Sequence, residues 1–226
     1  MNEALIFAAA GIGGYLIGNI EFAVIISRLT YKDDIRNHGS GNAGTTNMMR
    51  VYGMKPGLVT FLFDFLKGVL GTLLCSMLGG LLPGDALYIG ATAKELCTYI
   101  GAVCIVLGHD YPVFFKLKGG KGAASSLGIA YVLSPLAGVV VTVVCFIVIY
   151  ASQMVSLGSL LGMTIFTVWM TVVGITSGNA ALAVMVCAMW VLLVVRHRDN
   201  IQRLIRGEES KLFKRPSKKA KTPKDV

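Results

Sequence analysis

The sequence predicts an all-α, polytopic integral membrane protein with about seven transmembrane helices and its N-terminus outside. Three observations carry that prediction. Hydrophobic residue types make up 54% of the 226 residues and charged types only 15%, where soluble domains carry about 25%. Between Lys121 and Arg196 run 74 residues without Asp, Glu, Lys, Arg or His, more uncharged chain than a soluble protein of this length can bury. Apart from Lys67 and Lys94, which lie within spans, the Lys and Arg fall in alternate loops, as the positive-inside rule requires of a threaded chain. The same composition excludes the disordered, fibrous and disulfide-scaffold classes.

Residues 4–27 form the first span. No Lys or Arg precedes Arg28, so the segment lacks the basic leader of a cleaved signal peptide. Arg28, Lys32, Arg36, Arg50 and Lys55 follow and place the 28–55 loop in the cytoplasm. The second span, 57–78, returns outward to a Gly79–Asp85 link with Pro83 and no Lys or Arg. The third, 88–108, comes back in, with Lys94 and Glu95 near its outer end expected to snorkel to the interface. Lys116, Lys118 and Lys121 mark a second cytoplasmic loop.

The basic segment from Arg196 is also expected inside, so residues 122–195 cross an even number of times. Two crossings leave too many apolar residues for spans of about 20. Four need about 18 residues each, and breaks sit at Ser134-Pro135, Ala151-Ser152-Gln153 and Gly174 to Asn179. That gives seven spans, the fourth short; reading 122–150 as one span gives six and puts the tail outside. Residues 1–212 form a single transmembrane domain on this reading, and 213–226 a basic, disordered cytoplasmic tail. Eleven of the 21 Lys and Arg follow Val195, against four of the 12 acids. Beside a span this is a polybasic segment lying against anionic membrane lipid, not a nucleic-acid site. Cys75, Cys97, Cys104, Cys145 and Cys187 are odd in number, lie in apolar stretches without a CxxC pair, and are expected as buried free thiols.

Three polar clusters fall on the cytoplasmic side, each at the mouth of a span. The first runs from Arg36 to Arg50. Gly39, Gly41 and Gly44 fit GxGxxG, but a dinucleotide site needs a preceding strand and a βαβ unit, and a polar stretch precedes here. Glycines let backbone N–H groups converge on an anion, Ser40, Thr45, Thr46 and Asn47 add donors, and Arg50 adds a fork-shaped cation. A capped loop before a helix remains the alternative. The second cluster runs from Gly108 to Gly122, with Lys121 set among Gly119, Gly120 and Gly122. It is not a Walker A loop, since no Ser or Thr follows the lysine and Phe115 stands where the first glycine belongs. A phosphate-binding loop without a nucleotide describes it better. Lys116 and Lys118 are interface charges. His109 and Asp110 form an acid–base pair or a helix-end hydrogen-bond pair.

The third cluster, Arg196 to Glu209, places His197, Asn200 and Leu204 on one helical face and Arg196, Asn200 and Arg203 on the next, unless it is a solvated amphipathic stub. Asp64 and Lys67, three residues apart in the second span, are expected to brace the site as an ion pair. No metal is expected: the three histidines, 38, 109 and 197, show no ligand spacing. No GxSxG elbow is present.

In order and spacing these clusters resemble the motifs of the bacterial acyl-phosphate-dependent glycerol-3-phosphate acyltransferases. Gly39 to Arg50 follows the GSGN-x-G-x-TN-xx-R pattern, and Gly108 to Gly122 follows the GH…KGGKG pattern with Leu117 for the usual Phe. His197, Asn200, Arg203, Leu204, Gly207 and Glu209 follow the third. The resemblance covers nearly the whole chain up to Leu212. It implies seven spans, a site on the cytoplasmic face of a bacterial plasma membrane, and transfer of an acyl group from acyl phosphate to the sn-1 hydroxyl of glycerol 3-phosphate. The products are lysophosphatidic acid and orthophosphate, the first step of phospholipid synthesis. No cofactor is implied, and other phospholipid-synthesis enzymes are possible partners.

Carried over by position, Ser40, Lys121, Asn200 and His197 are the catalytic set: Ser40, Arg50, Lys121 and Asn200 hold phosphate and His197 orients Ser40. The remaining substrate-binding residues are Gly39, Gly41, Asn42, Thr46, Asn47, His109, Gly119, Gly120, Gly122, Arg203 and Glu209. Ala43 and Glu21 stand where proline is usual. Glu21 inside a span must face the site or a water cavity, or else the first helix is locally different. A transporter or non-catalytic binding protein for a phosphorylated metabolite is the rival reading, but it calls for polar groups at mid-membrane and on both faces, and the outer loops are bland. The absent His-x4-Asp box (Ala43 lies five past His38) fits a chemistry that rests on positioning and charge neutralisation.

Overall fold

The computed structural model describes residues 2–83 and 87–212; the expected tail, 213–226, lies outside them. The chain is a helical bundle. In order it forms α1 (Glu3–Gly18), α2 (Phe22–Tyr31), α3 (Thr45–Tyr52), α4 (Met54–Gly79), a two-residue ladder of β1 (Leu87–Tyr88) with β2 (Ala91–Thr92), and α5 (Ala93–Asp110). Then come α6 (Ala123–Leu133), α7 (Pro135–Ser152), α8 (Val155–Thr176), α9 (Ala180–Arg196) and α10 (Arg198–Ile205). Five helical segments, counting Glu3–Tyr31 as one, are long and apolar enough to cross a membrane, and six if α9 and α10, bent by 63° at His197, count together. The small antiparallel ladder is the one departure from an all-helical chain among the described residues.

The expected first span, 4–27, is broken. Asn19 closes α1, its side-chain amide donating to the Tyr15 carbonyl at 2.7 Å, and α2 restarts after Glu21. A helix break inside a bilayer leaves carbonyls that need donors. The Lys67 ammonium on α4 supplies them, donating to the Gly18 and Ile20 carbonyls at 3.2 and 2.7 Å. The first helix is thus locally different at Glu21, the second of the two expectations for that residue.

The third span starts later than 88, because residues 87–92 form the ladder around a turn with positive φ at Ile89 and Gly90, the backbone that two-residue hairpins prefer. Glu95 closes a capping box with Thr92, accepting from the Thr92 N–H at 2.8 Å. Its carboxylate is a helix cap, therefore, and not a snorkelling charge; Lys94 is exposed as expected.

The breaks in the charge-free stretch fall where the sequence places them. Pro135 opens α7 and Ser134 caps it, accepting from the Ala137 N–H at 3.3 Å. Gln153 separates α7 from α8 in a left-handed conformation. Asn179 caps α9 through the Leu182 N–H and donates to the Tyr99 hydroxyl at 3.1 Å. At 11 residues α6 is about 16 Å long, half a hydrocarbon core.

With lipid outside, helices associate through close small-residue contacts. α1 packs on α5, and α4 packs on α5 and α6. A Cβ on Gly18 would overlap the Ile105 carbonyl, and one on Gly68 the Ser125 carbonyl. The main core joins α5, α6, α8 and α9 through Ile105, Ile129, Phe166, Met185 and Leu193. α7 buries only Ala137, Gly138 and Val141 and exposes Phe146 and Tyr150, as a lipid-facing helix does. Cys187 is exposed on α9, against the expectation of a buried thiol. The bilayer is as apolar as a core, so an apolar segment does not dictate burial inside the protein.

Candidate active site

The first cluster is built on a polar turn that follows α2. Asp34 accepts from the Arg36 backbone N–H at 3.0 Å and from its guanidinium at 2.9 and 2.8 Å. Those Arg36 bonds, helped by Arg28, hold the Asp34 carboxyl well below the usual carboxylate range. Arg36 also donates to the Phe115 carbonyl at 2.7 Å, which stitches the first cluster to the second. Gly39 and Gly41 take positive φ of 59° and 71°, conformations that glycine adopts without strain. Asn47 holds the loop in place. Its amide donates toward the Ile35, His38 and Asn42 carbonyls at 3.2, 3.0 and 3.1 Å, and its Oδ1 accepts from the Ser40 N–H at 2.9 Å.

The second cluster wraps over the end of α5. The Gly120 N–H donates to the His109 carbonyl at 3.0 Å, and a Cβ on Gly120 would overlap His109 Nε2. Arg196, at the end of α9, donates to the Gly119 carbonyl at 3.1 Å and to the Gly120 carbonyl at 2.7 and 3.0 Å, with its guanidinium 5.0 Å from the Tyr111 ring.

Lys121 then reaches across to the third cluster, where its ammonium donates to Asn200 Oδ1. The Asn200 amide donates to Glu209 at 2.7 Å, as do Arg203 at 2.8 Å and the Ser156 hydroxyl at 2.9 Å. Burial pushes the Glu209 carboxyl up, but these three donors outweigh it and leave it below its ordinary value. Burial, reinforced by the Arg203 charge, brings the Lys121 ammonium down to about 8.

A cavity of about 760 Å³ opens among the three clusters. Of the residues singled out from sequence, Gly39, Ser40, Asn42, Thr46, Asn47, Arg50, His109, Lys121, Gly122, His197, Asn200, Arg203 and Glu209 line it. Gly41, Gly119 and Gly120 do not. Gly41 turns the chain, and the carbonyls of the other two are turned to Arg196. His197 and Ser40 share the wall without a hydrogen bond between them among the described residues; Nδ1 of His197 lies 2.8 Å from the Leu193 carbonyl. Arg50 is exposed to the cavity and has no carboxylate partner among the described residues. Apolar side chains also line the cavity: Leu127 of α6, Val141, Cys145 and Phe146 of α7, and Met163 of α8.

The expected Asp64–Lys67 pair forms, 3.0 Å apart and buried beside this cavity. His109 Nδ1 lies 2.8 Å from the same ammonium and 3.0 Å from Glu21 Oε1. Glu21 itself does not reach the cavity.

The family model for glycerol-3-phosphate acyltransferase matches residues 8–207. The chain belongs to that family. A glycerol-3-phosphate acyltransferase of Finegoldia magna is 40% identical over 90% of this chain and 95% of its own length. One from Clostridioides difficile is 33% identical over 93% and 97%. The crystal structure of PlsY (YgiH), an integral membrane glycerol 3-phosphate acyltransferase, in its glycerol 3-phosphate form superposes with a TM-score of 0.78 at 33% identity, covering 91% of this chain and 94% of that one. Its lysophosphatidic acid form gives a TM-score of 0.75 at 32% identity. The acyltransferase is a multi-pass integral membrane protein.

One residue on this cavity carries no signal in the sequence read alone. Ser156 sits in the first turn of α8 inside the charge-free stretch, and only the return of residues 208–212 brings Glu209 to it. Arg196 reads as one face of a helix, yet it clamps a glycine loop far away in sequence.

The Lys121 ammonium loses its charge as pH rises through about 8. Sulfate, whose own charge is constant in this range, should therefore bind more weakly to the wild type above pH about 8. Lys121→Arg should abolish that alkaline fall. The same fall in both proteins would remove Lys121 from the anion site.

Proposed function

We propose that this acyltransferase takes its acyl group from acyl phosphate and passes it to the sn-1 hydroxyl of glycerol 3-phosphate, giving lysophosphatidic acid and orthophosphate. One observation carries the reading: a single cavity is lined both by Arg50 and Lys121 and by apolar side chains of α6, α7 and α8. Cations suit the phosphates of both substrates, and the apolar wall suits a chain drawn from the membrane. The glycerol 3-phosphate and lysophosphatidic acid forms of the homologous structure support the same assignment.

Acyl phosphate already carries a good leaving group, so positioning and charge neutralisation do most of what catalysis requires. Arg50, Lys121 and Asn200 hold phosphate, with Ser40 presented by its glycine loop. Asn47 and Glu209 act through others: Asn47 shapes the Ser40 loop, and Glu209 holds Asn200 against Lys121. The hydroxyl oxygen attacks the acyl carbon, the bond from that carbon to the phosphate oxygen breaks, and the hydroxyl proton passes to the departing phosphate. A phosphate oxygen of pKa near 6 is a suitable base, and His197 positions the phosphate. No acyl-enzyme forms on this route, so kinetics follow a ternary-complex pattern.

The topology that fits is seven crossings, with the α1–α2 segment first, α6 as the short fourth and α9 last, the N-terminus outside and the cavity facing the cytoplasm of the bacterial plasma membrane. The described residues then act as one domain.

Purified protein given acyl phosphate and glycerol 3-phosphate should release lysophosphatidic acid and orthophosphate in equal amounts. Arg50→Ala and Lys121→Ala should each lose about 2–3 kcal/mol of transition-state stabilisation, roughly 30- to 150-fold in kcat/KM. A folded Lys121→Ala protein within a few-fold of wild type, or an acyl group trapped on Ser40, would overturn the mechanism. For the topology, single cysteines at Gly80 and at Glu208, in a chain lacking its native five, should label from opposite sides of sealed cells. Labelling of both from one side would mean an even number of crossings between them.

A further inference from the structure

Lys67 sits on α4 at 4% exposure, and its ammonium has three N–H bonds to give. Three acceptors take them: the Gly18 carbonyl at 3.2 Å, the Ile20 carbonyl at 2.7 Å and Nδ1 of His109 at 2.8 Å. The Asp64 carboxylate is close enough to neutralise the charge, but its Oδ1 receives no hydrogen bond. Neither oxygen of Glu21 receives one, although Oε1 lies 3.0 Å from Nδ1.

An imidazole nitrogen that accepts a hydrogen bond carries no proton. A neutral ring at this position therefore bears its one proton on Nε2. His109 lines the cavity, its Nε2 edge lies next to Gly120, and Nε2 has no hydrogen-bond partner among the described residues. The cavity lined by His109 and Lys121 thus has a neutral, fixed N–H in addition to the cations that answer for the phosphates.

Acyl transfer places developing negative charge on a second oxygen, that of the acyl carbonyl, and the residues assigned above leave it without a donor. We propose that the His109 Nε2–H donates to the acyl carbonyl oxygen as the hydroxyl attacks, with Lys67 as the positioning residue that fixes the donor tautomer. The inference rests on the acyl-transfer reading given above. A neutral donor suits an oxygen that becomes charged only in the transition state. No bond to His109 forms or breaks; its proton stays on Nε2 throughout.

The test joins a spectrum to a kinetic split. The chain has three histidines, at 38, 109 and 197, so the full-length protein labelled with 15N-histidine in lipid nanodiscs gives few signals, and His109→Phe identifies those of His109. Nε2 should be the protonated nitrogen in the wild type. His109→Phe should lower kcat about 100-fold or more, with KM for glycerol 3-phosphate within threefold. His109→Gln, which returns an N–H near the same place, should recover at least a tenth of the lost rate. Lys67→Met should move the His109 proton to Nδ1, facing Glu21, with a similar fall in kcat; because that variant also strips the Gly18 and Ile20 carbonyls, the wild-type spectrum stands without it.

A wild-type His109 protonated at Nδ1 would overturn the proposal, with Glu21 as the partner that holds it. A rise in KM at constant kcat in His109→Phe would overturn it too, making His109 a ground-state phosphate ligand. A wild type inactive toward acyl phosphate would sink the reaction itself, whereas an active wild type with kcat unmoved in His109→Phe would sink His109 alone.

Discussion

Backbone groups freed at a helix break have no water to turn to inside a bilayer, and each break in this chain is a place where the sequence supplies a substitute. Lys67 answers the carbonyls at Gly18 and Ile20, Ser134 and Asn179 cap α7 and α9, and Arg196 takes the carbonyls of Gly119 and Gly120. These substitutes are polar or charged, and those at the Asn19–Glu21 and Arg196–His197 breaks gather near one end of the bundle. The site is a consequence of that gathering. The polar residues that close the helix ends hold the neighbouring glycine loops in place, and those loops bring Ser40 and Lys121 to the cavity.

Electrostatics at the cavity follow from the same arrangement. Arg28, Arg36 and Arg203 are tied to carboxylates and Arg196 to carbonyls, so their charges set geometry. Arg50 has no carboxylate, and Lys121 rests on a neutral amide. Those two cations, together with Lys211 on the same cavity, have no carboxylate partner among the described residues and are available to an anion. A neutral partner for Lys121 leaves the ammonium available, while burial and the nearby Arg203 charge lower its affinity for the proton.

Much of this was legible in the sequence, and the parts that were not share a cause. The charge-free stretch and the alternation of basic loops gave membrane class, and Ser134-Pro135 and Asn179 marked helix ends by local chemistry that needs no distant partner. The three motifs placed Ser40, Arg50, Lys121 and Asn200 on one cavity. A local departure at Glu21 was legible, but not that Lys67 on another helix completes the break at Asn19 to Glu21. Glu95 reads as an interfacial charge until Thr92 is seen to start the helix. Gly119 and Gly120 read as anion-binding glycines because their spacing is right, yet their carbonyls face Arg196 and leave the cavity to Gly122 and Lys121. Ser156 belongs to the site only because the chain after α10 folds back over α8. Local rules reach as far as local partners.

The central claim is that the three clusters work as one site, joined where Lys121 meets Asn200. A double-mutant cycle measures that junction directly, with kcat/KM of the wild type, Lys121→Ala, Asn200→Ala and the double variant in the same membrane preparation. The losses should be non-additive, with a coupling energy of about 1–3 kcal/mol, as for residues in one hydrogen-bonded network. Losses that add to within about 0.5 kcal/mol would show two independent contacts and contradict the account.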